Sequence, residues 1–203
     1  MNRPTPVSRR GWIGSGLATC GFLAAGGLSV AQSADLPTLK GYTRPGPVTE
    51  RGRAPGFQSR LVSEIPGVEK SYAVVFAKGD EILSGLTEFA IRENFTAGSF
   101  TAIGALQSAR FGWFDRKRKA YRHIPINEQV ELVSLIGNVA LVKGTPQVHA
   151  HGGVGFCSGE MRGGHLLEAI AWPTLELFFT TWSTPLIKEH DDETDLSLFN
   201  LNV

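Results

Sequence analysis

Apolar residues form two kinds of pattern along the chain, one helical segment and a long succession of short strands. An unbroken apolar run from Tyr72 to Ala77 predicts a buried strand. Asp80 then predicts a helix N-cap, and the helix should end near Asn94. The apolar face of this helix comprises five residues at helical spacing, namely Ile82, Leu83, Leu86, Phe89 and Ala90.

The remainder of the chain predicts short strands that are separated by turn residues. These segments are residues 98–106, 108–114, 120–125, 129–135, 138–142, 148–151, 164–171 and 175–181. Their spacing is typical of an antiparallel sheet. Because one strand and one helix are followed by many strands, the order favours an α+β fold over alternating βαβ units.

The amino-terminal residues 1–31 predict a twin-arginine-type signal peptide. The pair Arg9-Arg10 precedes a weakly apolar, glycine-rich stretch, and small residues suit cleavage after Ala31. The alternative is an uncleaved membrane anchor, but the glycines dilute a segment of marginal length. We therefore expect a periplasmic protein with no stable membrane insertion after cleavage.

Residues 32–70 are predicted to be an extended arm or linker, because proline, glycine, arginine and threonine are frequent there and no periodicity is visible. Residues 71–203 are then the folded domain. Residues 1–34 contain three of the 20 basic residues and none of the 19 acidic ones, so the rest of the chain is slightly acidic. With no excess of basic residues, this part of the chain is not expected to form the basic surface that nucleic-acid binding requires.

Three of the five histidines lie within seventeen residues of sequence. His149 and His151 are spaced i, i+2, so on a strand they project from the same face. His165, returned by the next strand of a hairpin, would complete three neutral nitrogens and leave one coordination position open, as in a catalytic zinc site. The alternative is a histidine pair on a solvated strand face with an unrelated third. Gly163 and Gly164 either let the backbone pack close to the metal or form a turn.

Other side chains could support chemistry at such a site. Glu176, on the following strand, is the first candidate for a proton-handling carboxylate or one that supports a ligand, and Glu131 and Glu160 come next. Arg162 could position a substrate carboxylate. Cys157 is expected to be a small, partly buried thiol, with a fourth metal ligand or an intermolecular bridge as the alternatives. Each of these residues also has an ordinary structural or surface interpretation.

From about Tyr72 to Phe199 the chain resembles the plants-and-prokaryotes conserved (PPC) domain. Short motifs carry the resemblance, in the order and spacing of the family. They are Lys78-Gly79-Asp80-Glu81-Ile82-Leu83, Thr101-Ala102-Ile103-Gly104-Ala105-Leu106, Glu131-Leu132-Val133-Ser134-Leu135-Ile136-Gly137-Asn138, His149-Ala150-His151, Gly163-Gly164-His165-Leu166-Leu167 and Thr174-Leu175-Glu176.

The resemblance implies a compact α+β domain with a mostly antiparallel sheet and one main helix, assembled as a homotrimer. It also implies a metal site at His149, His151 and His165. Plant members of the family follow AT-hooks and bind DNA, whereas here an inserted alanine breaks the hook-like run 51–55. The fold is also similar to that of acetolactate decarboxylase, a zinc enzyme, which favours an enzyme by analogy alone.

Two functions of different classes follow. The first is an exported metal-binding protein, with zinc as the expected divalent ion, that acts as an enzyme on a small oxo- or carboxylate-bearing molecule. The alternative is a noncatalytic, metal-stabilised trimeric binding module, and DNA binding is a distant third. Imidazole also suits nickel, copper, cobalt and iron, so the sequence leaves the ion open.

Overall fold

The computed structural model describes residues 39–48 and 50–202. The predicted signal peptide, 1–31, lies outside these residues, as does the beginning of the predicted arm. No helix within the described ranges is long and apolar enough to cross a membrane.

Ten strands and one helix follow one another in the described residues. Their bounds are β1 (Tyr42–Thr43), β2 (Gln58–Ile65), β3 (Glu69–Ala77), α1 (Ile82–Arg92), β4 (Ala97–Asp115), β5 (Ala120–Ile126), β6 (Val130–Val142), β7 (Thr145–Gly155), β8 (Met161–Trp182), β9 (Ile187–Asp191) and β10 (Leu196–Asn200). The predicted architecture of many strands and one helix is therefore found.

The strands form one sheet in the order β1-β5-β4-β6-β7-β8-β3-β2, with β9 paired to β6 and β10 paired to β9. An additional pairing between β4 and β8 closes β4, β6, β7 and β8 into a ring of hydrogen-bonded strands. The sheet is mixed, because β9 runs parallel to β6 and pairs Leu141 with Ile187 and Val142 with Lys188. The other pairings between strands are antiparallel, as the sequence predicts.

Three strands of the structure are longer than predicted, because each one joins two segments that the sequence predicts as separate strands. β4 covers both 98–106 and 108–114, and β6 and β8 likewise each join two predicted strands. The pairing of β4 shifts register between Ala102 and Gly104 and again between Leu106 and Ser108. Such bulges bend a strand without ending it, which explains why turn-like residues occur inside it.

The helix begins one residue later than predicted. Glu81, not Asp80, is the N-cap of α1, and its carboxylate accepts hydrogen bonds from two backbone N–H groups of the first turn. Asp80 instead accepts hydrogen bonds of 2.9 Å from the backbone N–H groups of Gly56 and Ala77. It therefore fastens the segment before β2 to the end of β3.

The folded region also begins earlier than the predicted boundary at residue 71. β2 lies inside the predicted arm and pairs with β3 along its length. Phe57, just before β2, packs against Phe76 and Phe89, with ring centroids 5.1 and 5.2 Å away. All eight residues of β2 are exposed, so this edge strand lacks the apolar alternation that would have revealed it.

The main core lies between α1 and the inner face of the ring. Rings of Tyr72, Phe89, Phe95 and Phe179 pack with centroids 5.0 to 5.9 Å apart. Along β7 the residues alternate between this core and the outer face of the ring. The outer face carries the candidate site.

Candidate metal centre

β7 and β8 bring the three predicted histidines to one face of the sheet. Val148 and Ala150 are 8% and 2% exposed on the core side, so His149 and His151 project from the opposite side. His151 is the direct cross-strand partner of His165 on β8. Directly paired residues have side chains on the same face, so the hairpin adds the third imidazole as the sequence predicts.

The three imidazoles converge on one point. Their ring centroids lie 5.1 Å apart for His149 with each of the other two, and 5.3 Å apart for His151 with His165. One ring nitrogen from each histidine lies within 4.8 Å of the other two. These three nitrogens would be the ligands of one shared ion.

Glycines permit the close strand packing behind the cluster. A Cβ atom on Gly163 would lie 2.1 Å from the carbonyl oxygen of Gly152 on β7. Gly164 has a φ of +149°, and a Cβ there would lie 2.7 Å from the carbonyl oxygen of Gly112 on β4. The close approach that these glycines allow is therefore between β8 and its neighbouring strands, immediately before His165.

The histidines are neutral at pH 7. Burial, together with the positive charge of Lys188, lowers the pKa of His149 to about 4. Burial and the neighbouring histidines lower the pKa of His165 to about 3, and burial also lowers that of His151. Neutral imidazole is the form that binds a metal, so no proton has to leave at neutral pH.

His165 offers a further sign of a ligand site. Its Nδ1 atom is buried and has no hydrogen-bond partner among the described residues. Buried polar groups without a partner are rare and require an explanation. Three convergent, neutral nitrogen donors and one unpartnered buried nitrogen fit a divalent ion such as zinc.

The ring of His165 is held by an aromatic neighbour. Tyr121 on β5 stacks on it with centroids 4.1 Å apart and an interplanar angle of 11°. Gly112, the β4 partner of His165, makes room for this stack because a Cβ there would lie 2.8 Å from the Cβ of Tyr121. Nothing in the sequence pattern linked Tyr121 to the histidines.

Two polar residues adjoin the cluster on its other side. Asn138 on β6 is the cross-strand partner of His149. Its Oδ1 accepts a hydrogen bond of 2.8 Å from Nζ of Lys188, which is 5% exposed. Neither Asn138 nor Lys188 was predicted to be a site residue. Lys188 comes near His149 only through the pairing of β9 with β6.

The candidate carboxylates do not join the histidines. Glu176 is exposed on β8 and lies opposite Val75 of β3 and Ile103 of β4. No hydrogen bond or ion pair within the described residues links Glu176 to the cluster. Glu131 and Glu160 are also exposed.

Arg162 and Cys157 lie at the far end of the β7–β8 hairpin. The guanidinium of Arg162 pairs with Glu160 at 3.0 Å, which is the surface interpretation of this arginine. Cys157 is exposed, not partly buried as predicted, and it is not a member of the three-histidine group. Cys157 lies in the exposed part of the turn between the strands, residues 157–160.

A cavity of about 270 Å³ lies beside His165. Glu81 and Glu168 are among the residues that line it. Glu168 pairs with Arg53 and Arg110, at 2.9 and 3.3 Å. Both carboxylates therefore already have partners.

These observations define a class of protein, a β-rich domain built on a ring of four strands with a candidate metal centre on its outer face. Residues 64–183, more than half of the chain, match the Plants and Prokaryotes Conserved domain, abbreviated PCC or PPC. The chain belongs to this family. No curated protein matches it.

Solved structures with the same fold support this assignment. A PPC protein of Pyrococcus horikoshii is 30% identical, with a TM-score of 0.62 over 69% of this chain and 97% of that one. A metal-containing protein of Archaeoglobus fulgidus is 28% identical, with a TM-score of 0.60 over 71% and 97%. A candidate DNA-binding protein of Bacteroides thetaiotaomicron is 24% identical, with a TM-score of 0.66 over 72% and 99%, and this likeness concerns the fold alone.

Proposed function

We propose that this protein is an exported PPC-domain protein that binds one divalent ion, zinc in the first instance, through His149, His151 and His165. The observation that carries the proposal is the convergence of three neutral imidazoles, one of which has a buried nitrogen that finds no partner in ranges 39–48 and 50–202. The metal-containing protein of Archaeoglobus fulgidus, which is 28% identical to this chain, agrees with the proposal.

A catalytic role is the activity that an accessible site of this kind supports best. Three protein ligands leave a zinc ion one exchangeable position, and zinc lowers the pKa of a bound water to about 7 or polarises a carbonyl oxygen. His151 is exposed, so a small molecule can reach the cluster from solvent. We propose a small oxo- or carboxylate-bearing molecule as the substrate.

A second candidate is a noncatalytic, metal-stabilised binding module. One observation favours it: the histidine group contains no carboxylate, and the two carboxylates of the nearby cavity that we describe already have partners. A proton-handling carboxylate would then be missing. Turnover of small oxo acids by metal-loaded protein, compared with metal-free protein, separates the two candidates.

We also propose that the protein is a homotrimer. Phe178, Thr101 and Ile136 are paired in register across β8, β4 and β6, and Ile136 pairs in turn with His151. Phe178 is 66% exposed and Ile136 is 56% exposed, which is unusual for large apolar side chains on one sheet face. Light scattering on the mature protein should give three times the mass of one chain.

Export is proposed from the amino-terminal sequence alone, as a periplasmic protein cleaved after Ala31. Fusion of residues 1–31 to a reporter should give twin-arginine-dependent export that Arg9→Lys with Arg10→Lys abolishes. We do not propose DNA binding, because the chain has no basic excess after residue 34. A gel shift at moderate salt should show no complex.

Elemental analysis tests the metal centre directly. Untagged mature protein should contain about one divalent ion per chain, and His149→Ala or His165→Ala should abolish retention. His123→Ala and His190→Ala are matched controls, because these histidines contact Thr43 and acidic side chains elsewhere and should keep the ion. Wild-type protein without metal after exposure to zinc would refute the proposal.

A further inference from the structure

The charge around the histidines is the starting observation. Lys188 is almost fully buried, and its Nζ forms no ion pair with any carboxylate in the described part of the chain. Burial lowers the pKa of this ammonium, and no carboxylate offsets that effect. Burying a cation without a counter-charge costs free energy, and such groups are found mainly at functional sites.

The same lack of negative charge holds for the histidines. The three-histidine group contains no carboxylate, and no ion pair within the described residues joins one of these histidines to an acidic side chain. A divalent ion on three neutral imidazoles would therefore add two positive charges beside a buried lysine. This accumulation of positive charge would favour the binding of an anion.

Asn138 and Lys188 have donors to offer such an anion. An ammonium has three N–H donors, and Lys188 uses one on Oδ1 of Asn138 while the ring of Phe199 lies 5.0 Å away. Because Oδ1 accepts from Lys188, the Nδ2 amide of Asn138 is a donor, and it makes no hydrogen bond within the described residues. Asn138 is also the cross-strand partner of His149, so its amide lies on the face of the cluster.

We propose that Lys188 and Asn138 form an oxyanion-binding pair beside the three histidines and position an acidic ligand there. This inference rests on the proposed metal centre and names the class of molecule that it takes, a small carboxylate-bearing or comparable oxyanionic compound. Lys188 lies beyond residues 64–183, which match the family, so the pair combines a residue of the family domain with one from the C-terminal hairpin β9–β10.

Calorimetry with pyruvate and, separately, with inorganic sulfate tests the pair. Metal content is measured first, and each anion is then titrated into wild type, Lys188→Met, Asn138→Asp and Lys143→Met. Lys143 is exposed in the β6–β7 turn and loses the same charge, so it is the matched control. Binding of pyruvate alone indicates a carboxylate site, and equal binding of sulfate indicates a general oxyanion site.

The expected result is that Lys188→Met and Asn138→Asp keep the ion and bind the anion roughly tenfold to a hundredfold more weakly, the range of one charge-assisted hydrogen bond. Lys143→Met should bind it as wild type does. Unchanged affinity in Lys188→Met, or no anion binding by metal-loaded wild type, would overturn the inference while leaving the metal centre intact.

Two further outcomes remain distinct. If both variants lose the ion, Lys188 and Asn138 support the histidines and do not hold an anion, which also overturns the inference. If wild type holds no metal, the proposed metal centre fails on its own measurement. The titration of metal-free protein then decides, since binding that Lys188→Met abolishes supports the pair and absent binding refutes it.

Discussion

Two polar regions of the molecule contrast sharply, the Asp80-Glu81 corner before α1 and the three-histidine cluster on the outer face. Both carboxylates of the corner are nearly inaccessible, yet together they accept five hydrogen bonds from backbone N–H groups. The cluster is more accessible, and one of its buried nitrogens has no partner among the described residues. The buried carboxylates of the corner have hydrogen-bond partners within the protein, whereas the unpartnered nitrogen of the cluster is available to a ligand.

The carboxylates of the corner stabilise the fold through their hydrogen bonds, whereas the fold positions the histidines with their ring nitrogens available to a ligand. Glu81 joins the start of α1 to Ala169 of β8, so its hydrogen bonds are part of the core architecture. The histidines are positioned by strand pairing and by the stack on Tyr121, and within the described residues no hydrogen bond holds their ring nitrogens. Near neutral pH, stability should therefore depend on the corner with or without an ion, and on the cluster mainly when an ion is bound.

Metal removal should have the largest effect. An ion at a thousand times its dissociation constant adds about 4 kcal/mol to the free energy of unfolding, because it binds the folded state alone. Chelation of zinc-loaded protein should lower the thermal midpoint accordingly. His165→Ala should show no such drop, and a drop of equal size in that variant would place the ion elsewhere.

Loss of the corner should come second. Glu81→Ala removes the acceptor for three backbone N–H groups and should lower the free energy of unfolding by about 3 kcal/mol. Metal content per folded chain should stay unchanged. Glu176→Ala is the matched control on an exposed site and should cost less than about 0.5 kcal/mol. Equal effects of the two variants in denaturant titrations would contradict the distinction.

Acid should weaken the metal-free protein through the cluster. Histidines of the unfolded chain titrate near pH 6.5, whereas those of the folded chain at positions 149 and 165 titrate at about 4 and 3. Between pH 6.5 and 4 the unfolded state binds more protons, so stability falls as the pH falls. The double variant His149→Ala with His165→Ala should show a shallower dependence.

The corner has the opposite pH dependence and needs its own control. Burial raises the pKa of Glu81, so the ionised form is disfavoured in the folded state and acid relieves that cost. Denaturant titrations from pH 7.5 to 4.5 in a Glu81→Gln background remove this contribution. If the histidine double variant follows the same pH curve as its parent there, the low pKa values of the cluster are wrong.

The smallest effect should come from a single histidine in the metal-free protein. His149→Ala removes a half-buried ring that makes no hydrogen bond with the described residues, so it should change the free energy of unfolding by less than about 1 kcal/mol. Chemical denaturation of metal-free wild type and variant measures this difference. A cost of several kcal/mol would give His149 a structural role like that of Glu81.

Sequence reasoning succeeded where the signal is local. The alternation around His149 and His151 fixes their common face, and a short hairpin brings His165 beside them, so the convergence of the three rings was predictable. The metal itself stays a prediction. The strands from β3 to β8 were also predictable, whereas β1, β2, β9 and β10 were not. Bulges inside β4 were mistaken for turns because a bulge and a turn use similar residues.

What could not be predicted depends on distant pairing. Tyr121 reaches His165 only because β4 lies between β5 and β8, and Lys188 reaches Asn138 only through the parallel pairing of β9 with β6. Neither Tyr121 nor Lys188 belongs to a sequence motif that includes the histidines. Glu176 looked suitable because it follows His165 along the chain, yet β8 continues past the cluster and leaves this residue exposed.

The C-terminal hairpin has a consequence for how such a protein can change. It is joined to β6 by two residue pairs, and its only buried cation lies outside the part of the chain that defines the family. Exchanging this terminal segment would therefore replace Lys188, one half of the proposed anion pair, while the strands that carry the three histidines keep their sequence. In the proposals above, β7 and β8 supply every ligand of the ion, whereas the anion pair takes one residue from β6 and one from the hairpin, so a change in the hairpin would reach the acidic compound before the ion.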